Sequence, residues 1–299
     1  MRRFHPSVGP FFILNMNKII PDWEEIDAII ERGWAEDVGH GDYTSLATLP
    51  DNPVAKAECK VKSPGILAGV AFAERVFKKV DGETVFAAHI QDGTQVRPGD
   101  VAFTVTGPAH TLLKCERLTL NVMQRMSGIA TETRKAVLAV RGTRAQITDT
   151  RKTSPGLRML EKWAVVIGGG VSHRFGLYDM ILIKDNHSDF AGGVDVALTR
   201  ALQNNPRNLP IVVEARNDDE VQKILAIGGV TRILLDNMPP EIVARNVKTI
   251  AGRFPVEASG KINHYNVRAY AHAGADLISM GMLTHSFQCM DLSLKARPL

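Results

Sequence analysis

From residue 145 onward, short apolar runs alternate with amphipathic stretches at a steady pace. The runs are Ala145–Thr150, Met180–Asp185, Pro210–Ala215, Arg232–Asn237, Phe254–Ser259 and Leu277–Met282. Between them, Leu157–Ile167, Val194–Gln203, Asp219–Ile227, Pro239–Ile250 and Tyr265–Ala273 carry helical periodicity. Near-continuous apolar strands separated by helices predict a parallel sheet covered by helices. The last four runs begin at steps of about 22 residues, the tight spacing of repeated βα units. A closed barrel and an open doubly wound sheet both fit this pattern. The count of six or seven strands falls short of the eight of a complete barrel.

The first part of the chain is less regular. Pro21–Ala35 predicts a helix, with Ile26, Ile29, Ile30 and Trp34 at helical spacing. Alternating segments follow at Ala55–Val61, Gly65–Val70, Ala87–Ile90 and Val101–Val105. Asp92-Gly93 and Pro98-Gly99-Asp100 punctuate them as turns. These features predict a small mixed sheet with helices on one side. The boundary between the two patterns falls near residue 128. The expected division is a leader over 1–15, an N-terminal domain over 16–128 and a catalytic domain over 129–286, with 287–299 packing back on the N-terminal domain. Residues 1–15 read as an unstructured leader, with Met16 an alternative start. Their four apolar residues Phe11–Leu14 are too few for a signal h-region of roughly 7–15.

Composition narrows the class. The 299 residues are 44% apolar and 23% charged, an ordinary globular mix. No apolar run is long enough to suggest a membrane span. The net charge of +4 is too small to point to nucleic acid, yet compatible with an anionic substrate. Cys59, Cys115 and Cys289 are far apart and odd in number, so a reducing cytoplasm is the expectation.

The polar residues fall where the chemistry of such folds sits. The strand ends carry Arg151 and Lys152, Lys184 and Asp185, Glu214, Asp236, Glu257 with Ser259, and Ser279. Ligands of α/β barrels and sheets bind at the carboxyl ends of strands. One charge there merely ends a strand; charges on five successive strands converge on one mouth. Arg151, Lys152, His173, Arg174 and Lys184 are cationic or donor groups, and Glu214 and Asp236 are acids. That set suits an anionic, phosphorylated substrate with a divalent metal. Gly168-Gly169-Gly170 before His173 permits close backbone approach. Ser154-Pro155 reads as N-cap and N1 of a helix whose N-terminus favours an anion. Ser259-Gly260 and Ser279-Met280-Gly281 read equally as tight turns or as a backbone phosphate site.

Three longer runs carry a resemblance. These are Thr150 to Arg158 (TRKTSPGLR), Gly168 to Arg174 (GGGVSHR) and Leu182 to His187 (LIKDNH). Supporting stretches are EDVGHGD from Glu36, SGIAT from Ser127, LDNM from Leu235, EASG from Glu257 and LTHS from Leu283. Together they resemble the quinolinate phosphoribosyltransferase family over about Ile20–Leu294. The resemblance implies an N-terminal α/β sandwich joined to an incomplete α/β barrel of six to seven strands. It implies transfer of phosphoribose from phosphoribosyl pyrophosphate to quinolinate with decarboxylation, using Mg²⁺. The products are nicotinate mononucleotide, pyrophosphate and CO₂, a step of NAD biosynthesis. It implies a homodimer or an assembly of dimers, with Arg117 supplied across the interface.

By position, Arg117, Arg151, His173, Arg174 and Lys184 match the family's quinolinate cluster. Lys152, Glu214 and Asp236 match its catalytic residues, the two acids holding the metal directly or through water. Ser259, Gly260, Lys261, Ser279, Gly281 and Met282 fall on the phosphate loops, with Lys152 also facing the phosphates. Departures are Val212 for a frequent Glu, Lys261 for Gly or Asn, and Met282 for Ala. A molybdenum-transport paralogue with another substrate, a nicotinate phosphoribosyltransferase and a non-catalytic anion-binding protein are the alternatives. The full cationic clamp argues for a dicarboxylate.

Overall fold

The computed structural model describes residues 19–297; the expected leader over 1–15 lies outside them. The chain forms two compact units. One takes residues 135–152 and 170–282, the other 19–134, 153–169 and the segment from 283 onward.

The second of these units contains the antiparallel sheet. Its strands are β1 (Val54–Val61), β3 (Val85–Ala88), β5 (Val101–Pro108) and β12 (Leu292–Arg297), in the order β12-β1-β5-β3. The C-terminal strand pairs antiparallel with β1, Cys59 opposite Leu294. A two-stranded ribbon joins β2 (Gly65–Ile66) to β4 (Gln95–Val96). Helix α1 (Trp23–Val38) starts where Asp22 accepts hydrogen bonds from the backbone N–H groups of Glu24 and Glu25. It buries Ile26, Ile29 and Ile30, as their spacing predicts. Helix α2 (Tyr43–Thr48) follows, capped by Asp42.

Two helices in this unit depart from the sequence expectation. Gly65–Val70 was expected to continue as a strand, but pairing stops at Ile66 and α3 (Val70–Val80) begins. Gly69 turns the chain there at φ 98°, and the Asp92 carboxylate accepts from the N–H groups of Val70 and Ala71. Helix α4 runs unbroken from Ala109 to Ala139, so residue 128 lies inside it rather than in a linker. A Cβ at Gly128 would sit 2.3 Å from the Gln288 carbonyl oxygen. That glycine lets the C-terminal segment lie directly on the helix.

The other unit is built on six parallel strands. They are β6 (Gln146–Thr148), β7 (Ile181–Ile183), β8 (Ile211–Ala215), β9 (Arg232–Asp236), β10 (Val256–Ser259) and β11 (Leu277–Ser279). Their order is β6-β11-β10-β9-β8-β7, and Val171 adds a parallel bridge to Thr148 at the open edge of β6. The fold is therefore the α/β class expected, with six strands and a single-residue seventh position. Burial on both faces explains why these strands lack clean alternation: every residue of β8 is buried. Helices α6 (Asp185–Ala191), α7 (Val194–Gln203), α8 (Asp218–Ile227), α9 (Pro240–Ile250) and α10 (Val267–His272) separate the strands. Asn217 caps α8 through the N–H of Glu220, and Pro239-Pro240 opens α9. α11 (Met282–His285) is a single turn after β11.

One local expectation fails. Helix α5 starts at Arg158, not at Pro155, and has no side-chain cap. Ser154 is used differently: its hydroxyl accepts from Arg125 Nη2 at 2.6 Å, and its N–H donates to Glu161 Oε2 at 3.2 Å. The Ser154 N–H expected to favour an anion is thus given to the buried Glu161 carboxylate.

Candidate active site

Most of the singled-out residues lie in the parallel-sheet unit, at or just past the carboxyl ends of its strands. Glu214 is the fourth residue of β8 and Asp236 the last of β9. Ser259 ends β10, in direct register with Asp236. Ser279 ends β11, and Lys184 follows β7 as the residue before α6. Arg151 and Lys152 follow β6.

The two acids sit in one electrostatic field. Burial pushes the Glu214 carboxyl up to about 7; the nearby charges of Asp236 and Asp185 add to this and Lys184 opposes it. Asp236 is also raised, first by burial, against the lowering effect of Asn237, Lys184 and Lys152. Asn237 Nδ2 donates to Asp236 Oδ2 at 2.5 Å. The structure therefore brings Lys152, Lys184, Glu214 and Asp236 together. Among the described residues, no cluster of three or more His, Cys, Asp and Glu side chains is arranged to hold a metal. The pair instead suits Mg²⁺ carried by a substrate phosphate, which takes one or two carboxylates and keeps water or phosphate oxygens. A cation there would relieve the burial and repulsion that raise Glu214.

The cations gather in a second cluster. The buried Arg174 guanidinium is held below its ordinary pKa, chiefly by burial and then by the like charge of Arg151. Its Nη1 donates to the Met180 carbonyl at 3.1 Å. Arg151 Nε is buried without a hydrogen-bond partner. An unpartnered guanidinium donor beside a second guanidinium charge is chemistry that an anionic acceptor can satisfy.

His173 is packed below them. Its Nδ1 accepts the Arg174 N–H at 2.7 Å, and its Nε2 lies 3.3 Å from Glu257 Oε1. Glu257 and Arg232 form a buried ion pair at 2.5 Å, and the Ser279 hydroxyl donates to Glu257. Burial alone would raise Glu257; the charge of Arg232, then His173 and Ser279, outweigh it and hold the carboxyl below its usual range. Ser279, placed by sequence on a phosphate loop, thus spends its hydroxyl on this network. Arg232 and the buried Asp149 were read only as strand residues. The signal for Arg232 was a charge opening an otherwise apolar run, Arg232-Ile-Leu-Leu.

The Ser259 turn is tightly made. Gly260 has φ 100°, and a Cβ there would sit 2.4 Å from Asn237 Oδ1 and 2.7 Å from its backbone nitrogen. The Asn237 N–H donates to the Ser259 carbonyl at 2.8 Å. Lys261 follows at φ 54°, exposed. Gly281 and Met282 are half-buried after β11. Arg117 lies in the other compact unit, exposed on α4. There it lines a cavity of about 610 Å³ together with Arg32, Glu36, Arg125 and Glu161. Among the described residues, no helix is long and apolar enough to cross a membrane.

Comparison with known proteins fits this geometry. Residues 42–127 match the family model of the quinolinate phosphoribosyl transferase N-terminal domain, and residues 129–295 match that of its C-terminal domain. A quinolinate phosphoribosyltransferase (decarboxylating) 1b of Nicotiana tabacum is 41% identical over 91% of this chain and 82% of its own length. A probable nicotinate-nucleotide pyrophosphorylase (carboxylating) of Bacillus subtilis is 40% identical over 90% and 93%. The crystal structure of NadC from Streptococcus pyogenes superposes with a TM-score of 0.89 at 36% identity, covering 94% of this chain and 99% of that one. With both domain models matched in order and the six-stranded parallel sheet in place, the chain belongs to the quinolinate phosphoribosyl transferase family.

Proposed function

We propose that the chain transfers phosphoribose from phosphoribosyl pyrophosphate to quinolinate and releases CO₂, giving nicotinate mononucleotide and pyrophosphate. One observation carries this reading: the charge of Arg151 bears on the buried Arg174, and Arg151 keeps a buried donor without an acceptor. A dicarboxylate satisfies both guanidiniums, whereas a monocarboxylate leaves part of the clamp unmet. Lys184 and His173 complete the cluster within this unit, and Arg117 joins it from a second copy of the chain.

The chemistry follows from charge. Quinolinate and the pyrophosphate substrate repel each other, so the cations must hold both. The clamped carboxylates turn the ring nitrogen toward ribose C1. The nitrogen forms the N–C1 bond as the C1–O bond to pyrophosphate breaks, with positive charge developing on the ribose. Glu214 and Asp236 stabilise that charge, and Lys152 neutralises the leaving pyrophosphate. The backbone turns at Ser259–Lys261 and Ser279–Met282 bind the 5′-phosphate. Glu214 and Asp236 would hold Mg²⁺, directly or through water, and the ion would supply charge neutralisation on the pyrophosphate. In the product-like state the pyridinium nitrogen is positive. The C2–carboxylate bond then breaks, its electron pair stays on C2 beside that nitrogen, and C2 takes up a proton.

A homodimer and a cytoplasmic location belong to the same proposal. Arg117 is exposed on a unit separate from the one that carries the clamp, as a residue donated to a partner would be. Burial pushes the Cys59 and Cys115 thiols up to about 12, and no disulfide links the three cysteines among the described residues. The test is release of labelled CO₂ from carboxyl-labelled quinolinate, with each of phosphoribosyl pyrophosphate and Mg²⁺ omitted in turn. Release that needs all components supports the reading. Absence of release from folded protein moves the assignment to the paralogue or the binding protein.

A further inference from the structure

The chain leaves the parallel-sheet unit directly after Lys152 and returns to it at Gly170, just before His173 and Arg174. The excursion opens with a rigid turn. The Leu157 N–H donates to the Ser154 carbonyl at 3.1 Å, with Pro155 and Gly156 between them and Gly156 at φ 78°. Proline followed by a residue at positive φ is the pattern of a type II turn. Arg158 Nε also donates to the Thr153 hydroxyl at 3.0 Å. Ser154 therefore follows Lys152 after one residue, on a segment with little internal freedom.

Arg125 on helix α4 holds that turn. Its Nη2 donates to the Ser154 hydroxyl at 2.6 Å, and its Nε donates to Glu161 Oε1 at 2.8 Å. The second Glu161 oxygen, Oε2, accepts the Ser154 N–H at 3.2 Å. Arg125, Ser154 and Glu161 thus close a ring of hydrogen bonds around a fully buried carboxylate. The Arg125 guanidinium also lies 4.8 Å from the centre of the Phe287 ring. The far end of the excursion is seated on the same helix. Arg134 Nε donates to the Gly168 carbonyl at 3.0 Å, and a Cβ on Gly168 would sit 2.6 Å from the Ala130 carbonyl oxygen. Both ends are fastened to α4.

A buried ion pair is a poor device for stability alone, because desolvation offsets most of its attraction. A planar guanidinium adds geometry: one rigid fork grips a hydroxyl and a carboxylate at once. The part gripped is the first stretch of chain after Arg151 and Lys152. We propose that Arg125, acting through Glu161 and Ser154, is a positioning residue that sets the Arg151–Lys152 arm of the anion site. It touches no substrate in this role. The effect on quinolinate rests on the proposed function; the tether does not.

The test has two arms on the full chain. Arg125→Lys keeps a cation beside the buried Glu161 but cannot grip both partners as a fork. In the first arm, hydrogen exchange is followed by mass spectrometry. The peptide spanning 150–158 should exchange about tenfold faster in Arg125→Lys, with the peptides of α4 near their wild-type rates. Equal exchange at 150–158 overturns the tether. In the second arm, calorimetry measures quinolinate binding to wild type, Arg125→Lys, Ser154→Ala and the double variant. Each single variant should weaken the affinity by about tenfold, and the double variant no further than either single one. A merely structural loss lowers the binding stoichiometry and leaves the affinity as it was. Wild-type affinity in the folded variants, or losses that add in the double variant, overturns the positioning role. If Arg125→Lys does not fold, the same two measurements on Ser154→Ala decide. If wild-type protein binds no quinolinate, the proposed function fails while hydrogen exchange still decides the tether.

Discussion

Asp236 and Ser259 stand side by side in register at the ends of β9 and β10, so an acid and a hydroxyl residue share the carboxyl edge of the sheet. Asn237 ties them together. Its side chain donates to Asp236 and its backbone N–H to the Ser259 carbonyl. Gly260 lies against Asn237 because no Cβ intervenes.

Gly260→Ala should therefore act at both places. The new methyl meets Asn237, and φ 100° is strained for alanine. The expected loss of stability is about 1–3 kcal/mol, read by urea unfolding. The KM for phosphoribosyl pyrophosphate should rise while the KM for quinolinate stays near that of the wild type. A variant with unchanged values for both would show that this turn does not shape the phosphate site.

Glu214 gives a pH-dependent stability signature. Its folded-state pKa, about 7, lies above the ordinary 4.5. The protonated form is thus favoured by folding, and its stabilisation is present in full below the unfolded pKa. It is lost as pH rises toward the folded value, leaving a constant penalty above it. Glu214→Gln removes the ionised form, so relative to wild type it should gain stability between about pH 4.5 and pH 7. The gain should level off at roughly 3 kcal/mol above pH 7. Urea titrations of both proteins across that window check the slope; equal slopes would contradict the burial argument. On the proposed function the same variant should also lose turnover, since it would lack the carboxylate proposed to hold Mg²⁺.

The sequence carried the mouth but not the layer beneath it. Strand ends were legible because charged residues interrupt apolar runs at regular steps, and that is how Arg151, Lys184, Glu214 and Asp236 were found. The pairing of Arg232 with Glu257 escaped because a buried ion pair inside a parallel sheet has no sequence period. Each looks like an ordinary strand terminus until register brings them together. Helix α4 was hidden for another reason. The expected domain boundary fell at residue 128, inside this helix, and the Gln288 backbone packed on Gly128 explains why a glycine sits mid-helix. The early start expected for α5 followed Ser-Pro cap chemistry, which a buried Glu161 overrides.

Arg117 tests assembly. Arg117→Ala and Arg151→Ala should each be nearly inactive alone, and mixing them under subunit exchange should restore activity, because a mixed dimer carries one site with both arginines. Sedimentation of each variant verifies that dimers persist. If mixing restores nothing while exchange occurs, Arg117 acts within its own chain or not at all.

Arg151 is the proposed core of the quinolinate clamp. Arg151→Ala should lower kcat/KM for quinolinate by about 10–100-fold, the worth of a charged hydrogen bond of 1.5–3 kcal/mol. Arg151→Lys should recover little, since a point charge cannot replace a bidentate fork. Direct binding of quinolinate by calorimetry should weaken in parallel in both.

The most direct test of the account is CO₂ release from carboxyl-labelled quinolinate by the wild-type chain. The account predicts label released only when quinolinate, phosphoribosyl pyrophosphate and Mg²⁺ are all present, with nicotinate mononucleotide formed in equal amount. Folded protein that binds quinolinate yet releases no label under those conditions would contradict it.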